Sequence, residues 1–325
     1  MATRTPTGMT LTEVAKRLAP DGTQARIAEV LAEKNDILND IPFRAANDTF
    51  VNKTIRRSQE PAGEWRKLNE GIANAFSKTT VKWDVIGLLE SRGQHDVEII
   101  DNMPDPKGAR NDENVAHIAG MGKTMATALM YGSTTATPEK FNGLAPRLDD
   151  ISASPTVISQ GGSGSDTTSI FLVDWGPDTV HAIYPKNSVA GLSHQNMGIQ
   201  IVTDADAGSN QFRAYVDWFQ WRMGLAVKNP KSIGRYCNIE ASGTSNIFDE
   251  DNLMKVIIQM TQGPGLRIYV NKTIMAQMWV RLKDKTNVHF SRNDGLDAGG
   301  IPMYFNGIPI RQVDKIVDTE IVVQA

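Results

Sequence analysis

Residues 47–95 read as extended chain with no core of its own. Strand-like pieces fall at 49–57, 63–68 and 79–90, and Pro61-Ala62-Gly63 marks a turn among them. Phe50, Ile55, Trp65 and Leu68 are too few to bury against one another. A two-stranded projection of this kind is marginal alone in water. Something outside the segment must hold it; the alternative is a long disordered loop. Its cations, Lys53, Arg56, Arg57, Arg66 and Lys67, have two readings. They form a solvated face, or they pair with acidic groups of a neighbouring copy. Because Trp and Arg are the usual anchors of protein interfaces, Arg56, Arg57, Trp65, Arg66 and Lys67 are the candidate inter-subunit contacts.

The segments on either side are more regular. Leu11, Val14, Ala15 and Leu18 share one helix face, and Pro20-Asp21-Gly22 stops it. A second helix is expected from about 23 to 39, on Ile27, Val30, Leu31, Ile37 and Leu38. Both precede any core they can complete, so they fold back on the body or lie on another subunit. A long helix is expected over 108–131, capped by Asn111 or Asp112 and ended by Gly132, with Val115, Ile118, Gly122, Met125 and Leu129 on its inner face. Gly120 and Gly122 each cost roughly 1 kcal/mol relative to alanine, tolerable where another backbone passes close. Residues 167–192 read as two short strands around Gly176-Pro177-Asp178. A long hairpin follows, with arms at 198–203 and 212–228. The remainder, a helix at 248–260, a strand at 266–270, a helix at 272–282, a Gly-rich loop and strands at 302–305 and 308–313, reads as a compact α+β unit.

With 325 residues the chain is long enough for two cores, and its formal charge of −3 does not suit a large phosphate-gripping surface. Cys237, the single cysteine, excludes an intrachain disulfide and any multi-cysteine metal site; it is expected to be a small buried hydrophobe. No apolar run approaches the ~18–20 residues that span a membrane, and the polar start has no signal-peptide pattern. The expected setting is therefore soluble, in a reducing cytoplasm.

The chemical motifs fail on spacing. Gly122-Lys123-Thr124 resembles the end of a phosphate loop, but His117 stands where the first glycine belongs and the residues lie inside the long helix pattern. Asp204, Asp206 and Gly208 lack the third ligand and the closing glutamate of a calcium loop. The Gly-Ser run at 161–165 is a linker rather than a nucleophile elbow. The five histidines have no metal spacing, and His181 is expected to be a satisfied core or edge histidine. No catalytic residues, cofactor or metal are expected.

Asp174-Trp-Gly-Pro177, followed by His181-Ala-Ile-Tyr-Pro-Lys186 and Ala190-Gly-Leu192, resembles the major capsid proteins of tailed phages related to epsilon 15. So do residues 9–22, Trp65-Arg66-Lys67-Leu68-Asn69-Glu70-Gly71, Tyr131-Gly132 with Phe141 to Arg147, and Gly307-Ile-Pro-Ile310 with Asp314-Lys315. The order agrees over nearly the whole chain, departing at Gly120 and Gly122. The resemblance implies an α+β, Hong Kong 97-type capsid fold: residues 1–46 as N-arm, 47–95 as extended E-loop, 96–240 as peripheral domain with spine helix 108–131, and 241–325 as axial domain. It implies self-assembly into hexamers and pentamers of an icosahedral head around double-stranded DNA, which the inner face contacts weakly. The protein is then a virion component assembled in the host bacterial cytoplasm, with scaffolding, portal and decoration proteins as further partners. Two rivals are an encapsulin-type nanocompartment shell, which shares the fold, and a nucleotide-binding enzyme resting on Lys123. Because residues 224–236 resemble wording usually found near the end of such chains, a permuted order is expected, with the long strands at 169–184 and 212–238 completing the peripheral domain before the α+β unit.

Overall fold

The computed structural model describes residues 33–203, 210–282, 290–292 and 303–324. The helix expected at 11–18, most of that at 23–39, the acidic hairpin tip and most of the 284–300 loop lie outside these residues. Within them, 33–36 are not helical, and only a short α1 (Ile37–Asp40) closes that segment.

Two sheets organise the chain. The first has five strands: β1 (Phe43–Ala45), β4 (Gly87–Asp96), β7 (Val180–Tyr184), β8 (Leu192–Thr203) and β9 (Gln211–Val227). The 17 residues of β9 form its axis. Residues 214–223 pair with β4, 211–221 with β8 and 224–227 with β7. The second sheet has seven strands in the order β12 (Phe290–Arg292), β13 (Met303–Phe305), β14 (Ile308–Gln312), β11 (Leu266–Val270), β6 (Thr167–Asp174), β10 (Ile233–Glu240) and β5 (Val157–Ser159). A separate hairpin is made by β2 (Val51–Gln59) and β3 (Lys78–Val85).

β6 is buried along all eight residues, and its period-2 alternation feeds two cores. Ile170 and Leu172, with Ile268 and Val270 of β11, face α4 (Glu250–Gln259) and α5 (Lys272–Leu282), packing on Leu253, Val256, Ile274 and Met278. Phe171, Val173 and Tyr269 face the other way. They meet Met125, Leu129 and Met130 of the long helix α3 (Pro106–Tyr131), and Ala182 and Leu225 of the five-stranded sheet. The second core therefore joins the two sheets. Full burial of each large side chain contributes about 1.5–3 kcal/mol.

α3, preceded by the short α2 (Val97–Asp101), starts earlier than the sequence suggests. Asp105 is its cap: Oδ1 accepts from the Gly108 N–H at 3.0 Å, and Pro106 occupies the first turn, where a missing N–H costs nothing. Asn111 and Asp112 lie inside the helix. Gly132 does end it, donating its N–H to the Ala128 carbonyl at 2.8 Å. Among the described residues, nothing outside the helix's own backbone lies within 4 Å of where a Cβ would stand on Gly120 or Gly122, so no other described backbone passes close there. Val115 and Ile118 are also exposed, and the buried stripe continues only from Met121.

Three further expectations are corrected. The strand expected at 79–90 breaks at Ile86, and β4 belongs to the five-stranded sheet, so the projecting hairpin ends near residue 86. Residues 63–68 form no strand. The strands flanking Gly176-Pro177 are not a hairpin: apart from one bridge between Trp175 and Val180, β6 and β7 enter different sheets. The same crossing recurs at Asn229-Pro230, which interrupts the strand expected to run to 238. Pro230 lacks a ladder N–H, the chain turns, and β10 pairs with β6 rather than remaining with β9.

Residues 313–324 run as a strap across the join. Val313, Ile316 and Val323 enter the shared core. Asn238 pairs with Val323 through its side chain, Nδ2 to the carbonyl and Oδ1 from the N–H, both at 2.9 Å. Glu320, 8 % exposed, accepts from Arg235 Nη2 at 2.8 Å, from Ser169 Oγ and from Tyr131 Oη at the end of α3. Burial beside that carboxylate pushes the Tyr131 phenol well up. Removing one partner of a buried ion pair typically costs about 3–5 kcal/mol. Glu320→Ala should therefore lower unfolding stability by about that much, since Arg235 is left buried and uncompensated, while Glu320→Gln should cost less. Chemical denaturation of the unassembled protein measures both.

Candidate assembly surface

The hairpin alternates as its sequence dictates. On β2, Asn52 and Thr54 turn to the body and are buried, while Lys53, Ile55 and Arg57 turn out. Their direct partners on β3 are Trp83, Val81 and Thr79. Ile55, Val81 and Trp83 are 71 %, 47 % and 59 % exposed, and Lys53 Nζ lies 4.8 Å from the Trp83 ring centre. Such adjacent cross-strand pairs form one apolar patch. Residues 60–77, beyond the strands, are exposed throughout; Trp65, Leu68, Ile72 and Phe76 have no core to enter.

Only the base of the hairpin is fastened. Asp84 is buried and takes Arg147 Nη2 at 2.8 Å; the same nitrogen donates to the Leu225 carbonyl at 2.9 Å. Arg56 donates to the Val227 carbonyl, and Lys53 pairs with Asp48 at 2.8 Å. Ile86 N–H reaches the Phe50 carbonyl at 3.0 Å.

The five candidate contacts separate accordingly. Arg57, Trp65, Arg66 and Lys67 are exposed and project away from the body. Arg57 has Glu60 at 3.8 Å, an exposed pair worth little. Arg56 faces inward, half-buried, and fastens the hairpin to β9. The sequence reading missed Ile55, Val81 and Trp83 as a patch, although the alternation of 51–59 against 78–85 carries the signal.

Gly122-Lys123-Thr124 lies within α3, with Thr124 Oγ1 donating to the Gly120 carbonyl at 3.0 Å and Lys123 Nζ 3.7 Å from Glu33. Cys237 is buried, and burial pushes its thiol up to about 11. His181 is buried, but its Nδ1 has no hydrogen-bond partner among the described residues, so it is not fully satisfied. Among the described residues, no helix is long and apolar enough to cross a membrane.

A body with two fused cores and a fastened but coreless projection is a shape that leaves contact surface for other copies. A family model for the major capsid protein GP7 matches residues 19–324. The chain belongs to that family. No curated protein matches it. Among solved structures it is similar to a chain of bacteriophage epsilon15, at 29 % identity over 100 % of both chains with a TM-score of 0.76. The bacteriophage JBD30 capsid matches at 10 % identity, over 92 % of this chain and 99 % of that one, TM-score 0.49. The SrpI encapsulin of Synechococcus elongatus matches at 11 % identity, over 72 % and 98 %, TM-score 0.47. The fold is the Hong Kong 97-type capsid fold, in an α+β chain. This is a phage major capsid protein related to that of epsilon15, a structural rather than enzymatic component of the icosahedral head, located in the virion. Capsid proteins self-associate into lattices, and that is the established partnership of this chain.

The fastening predicts a local effect. Arg147→Ala leaves Asp84 buried without its cation, so the hairpin base should loosen by several kcal/mol while the two sheets persist. Hydrogen exchange should speed up in 51–59 and 78–85 well before it does in β6.

Proposed function

We propose that the hairpin formed by residues 47–86 is the E-loop and lies across a neighbouring copy in hexamers and pentamers of the phage head. The observation that carries this is a run of large apolar side chains, Ile55, Trp65, Leu68, Phe76, Val81 and Trp83, exposed on a segment with no core behind it. Contiguous exposed apolar surface of this kind marks an interaction site. Arg57, Trp65, Arg66 and Lys67 are the anchors, and Arg56 holds the base within its own chain. In this reading residues 1–46 are the N-arm. The five-stranded sheet with α3 is the peripheral domain, and the seven-stranded sheet with α4 and α5 is the axial domain; this reading moves β5, β6 and β10 out of the 96–240 span first assigned to the peripheral domain, so of the strands expected to complete that domain only β7 and β9 remain in it. The head encloses double-stranded DNA, and a net charge of −3 suits a wall that contains DNA without gripping it. Scaffolding, portal and decoration proteins are the further partners, and assembly takes place in the host cytoplasm.

The purified protein should sediment as large oligomers or shells, alone or with a scaffolding partner, and negative-stain microscopy should show hexameric and pentameric units. A stable monomer under all assembly conditions would sink the proposal. Trp65→Ala with Arg57→Ala should impair assembly while the circular dichroism of the monomer stays native, because truncating a good anchor costs ~2 kcal/mol or more per interface. Normal yield and heat resistance of that double variant would remove these two as anchors. Lys123→Ala should leave shells intact or slightly weakened, and no ATP or GTP should bind at this lysine.

A further inference from the structure

Three of the five histidines converge on one joint, although the sequence scatters them over 100 positions and four elements meet there. Asp217 of β9 is wholly buried. Arg110 of α3 grips it with Nε at 2.7 Å and Nη2 at 2.9 Å, and His194 of β8 donates from Nε2 at 2.8 Å. Arg110 also reaches Asn196 Oδ1 at 2.8 Å and lies 4.9 Å from the centre of the Tyr215 ring. Phe219, two residues on, is buried between His117 of α3 and His194; ring centres are 5.5 and 4.7 Å away, at interplanar angles of 14° and 10°. His117 Nδ1 is bonded to Ser91 Oγ of β4 at 2.9 Å. The third histidine, His95, is also on β4 and is 5 % exposed.

The decisive geometry is at Gly93. A Cβ there would stand 3.3 Å from His95 Nε2 and 3.4 Å from His117 Nε2, so both imidazole edges close on one bare backbone position. His95 Nε2 is buried and has no hydrogen-bond partner among the described residues. Neutral imidazole tolerates this; imidazolium does not, because it carries a second N–H and a charge into the same space.

We propose that His95, closed against His117 at Gly93, makes the joint between α3 and the five-stranded sheet acid-labile. At neutral pH the helix and the β4–β9–β8 ribbon are fastened through Asp217. On acidification, charge arrives on His95 beside His117 and Arg110. The acidic groups facing it are Asp217, already shared by Arg110 and His194, and Glu113, one helical turn before His117. Tyr215, opposite His95 across the ladder, donates its hydroxyl to Asp101 at 3.0 Å and supplies no counter-charge. Burial, the largest influence, together with His117 and Arg110, holds the His95 pKa below the ordinary imidazole value of ~6.5, against the opposite pull of Glu113 and Asp217. A base whose folded-state pKa is depressed binds more protons when its surroundings open. The joint is thus at full strength above about pH 6.5 and loses stability as pH falls through the window below it, by up to about tenfold in the opening equilibrium per pH unit and titrating group.

The test uses the full chain, as monomer and as assembled shell. Exchange of the imidazole C2 hydrogen, followed by mass spectrometry from pH 4 to 8, reads each histidine in the wild-type protein. A His95 midpoint below ~6.5 is expected, and one at or above that value overturns the proposal. Backbone hydrogen exchange, corrected for its intrinsic pH dependence, should show protection in 87–96 and 110–119 falling about tenfold or more between pH 7 and 5. His95→Gln, which cannot titrate, should flatten that fall. A wild-type protein with flat protection, or a His95→Gln variant that keeps the full fall, would show that acid does not act through this pair.

Discussion

A strand buried on both faces imposes conditions on everything around it, and β6 is such a strand. Its apolar half, Ile170 to Val173, is satisfied by one core on each side. Its first three residues are polar and equally buried, so each needs a partner. Thr167 has both its hydroxyl and its carbonyl occupied by the Glu320 backbone; Thr168 accepts from Asn271 Nδ2; Ser169 lies between Arg235 and the Glu320 carboxylate. The C-terminal strap is therefore a requirement of the central strand. The strap in turn reaches Tyr131, so the seven-stranded sheet fixes where the long helix ends. At the other end of β6, Trp175 Nε1 donates to Tyr269 Oη at 2.6 Å, and that hydroxyl reaches Asp40. Both ends of the strand are tied before the chain passes into the five-stranded sheet.

The hairpin shows the opposite economy. Its base is held by a buried ion pair and several backbone bonds, and beyond the β2–β3 ladder residues 60–77 stay exposed among the described residues. An isolated two-stranded ribbon with an exposed apolar face is not a stable unit in water, so its conformation is expected to be completed on a surface supplied by another copy. The division is sharp in β2 itself: alternate residues face the body at Asn52, Thr54 and Arg56, and face outward at Lys53, Ile55 and Arg57. One strand thus fastens and presents at once, by its period alone.

Much of this was legible. The α+β unit at the end of the chain, the long aromatic hairpin and the end of the spine helix at Gly132 follow from periodicity and turn chemistry. Wording at 174–192 indicated the family. What periodicity does not encode is sheet membership. Gly176-Pro177 signals a turn whether the strands on either side pair with each other or part, and here they part; Asn229-Pro230 repeats the ambiguity. The Asp105-Pro106 cap is legible as a sequence signal, an aspartate followed by a proline in the first helical turn. The Asp217 joint was not legible at all, since Arg110, His117, His194 and Asp217 gain meaning only once α3, β4, β8 and β9 are adjacent.

The long helix is held in two different ways along its length. Read along the sequence, its apolar stripe is continuous from Val115 to Leu129. In the structure Met125, Leu129 and Met130 enter the shared core, whereas Val115 and Ile118 remain exposed. The C-terminal half is held by burial, which hardly changes with pH. Among the described residues the N-terminal half has a small cluster around Ala109 and Ile100 for apolar support, and is fastened by Arg110, His117 and their partners on the sheet. Apolar packing and polar fastening thus divide one rigid element of 26 residues between them. Loosening the polar half frees one end of the helix from the sheet while the other stays anchored to both cores. For that reason loosening the contacts around Gly93 would act on one end of the helix and leave the shared core at its other end in place.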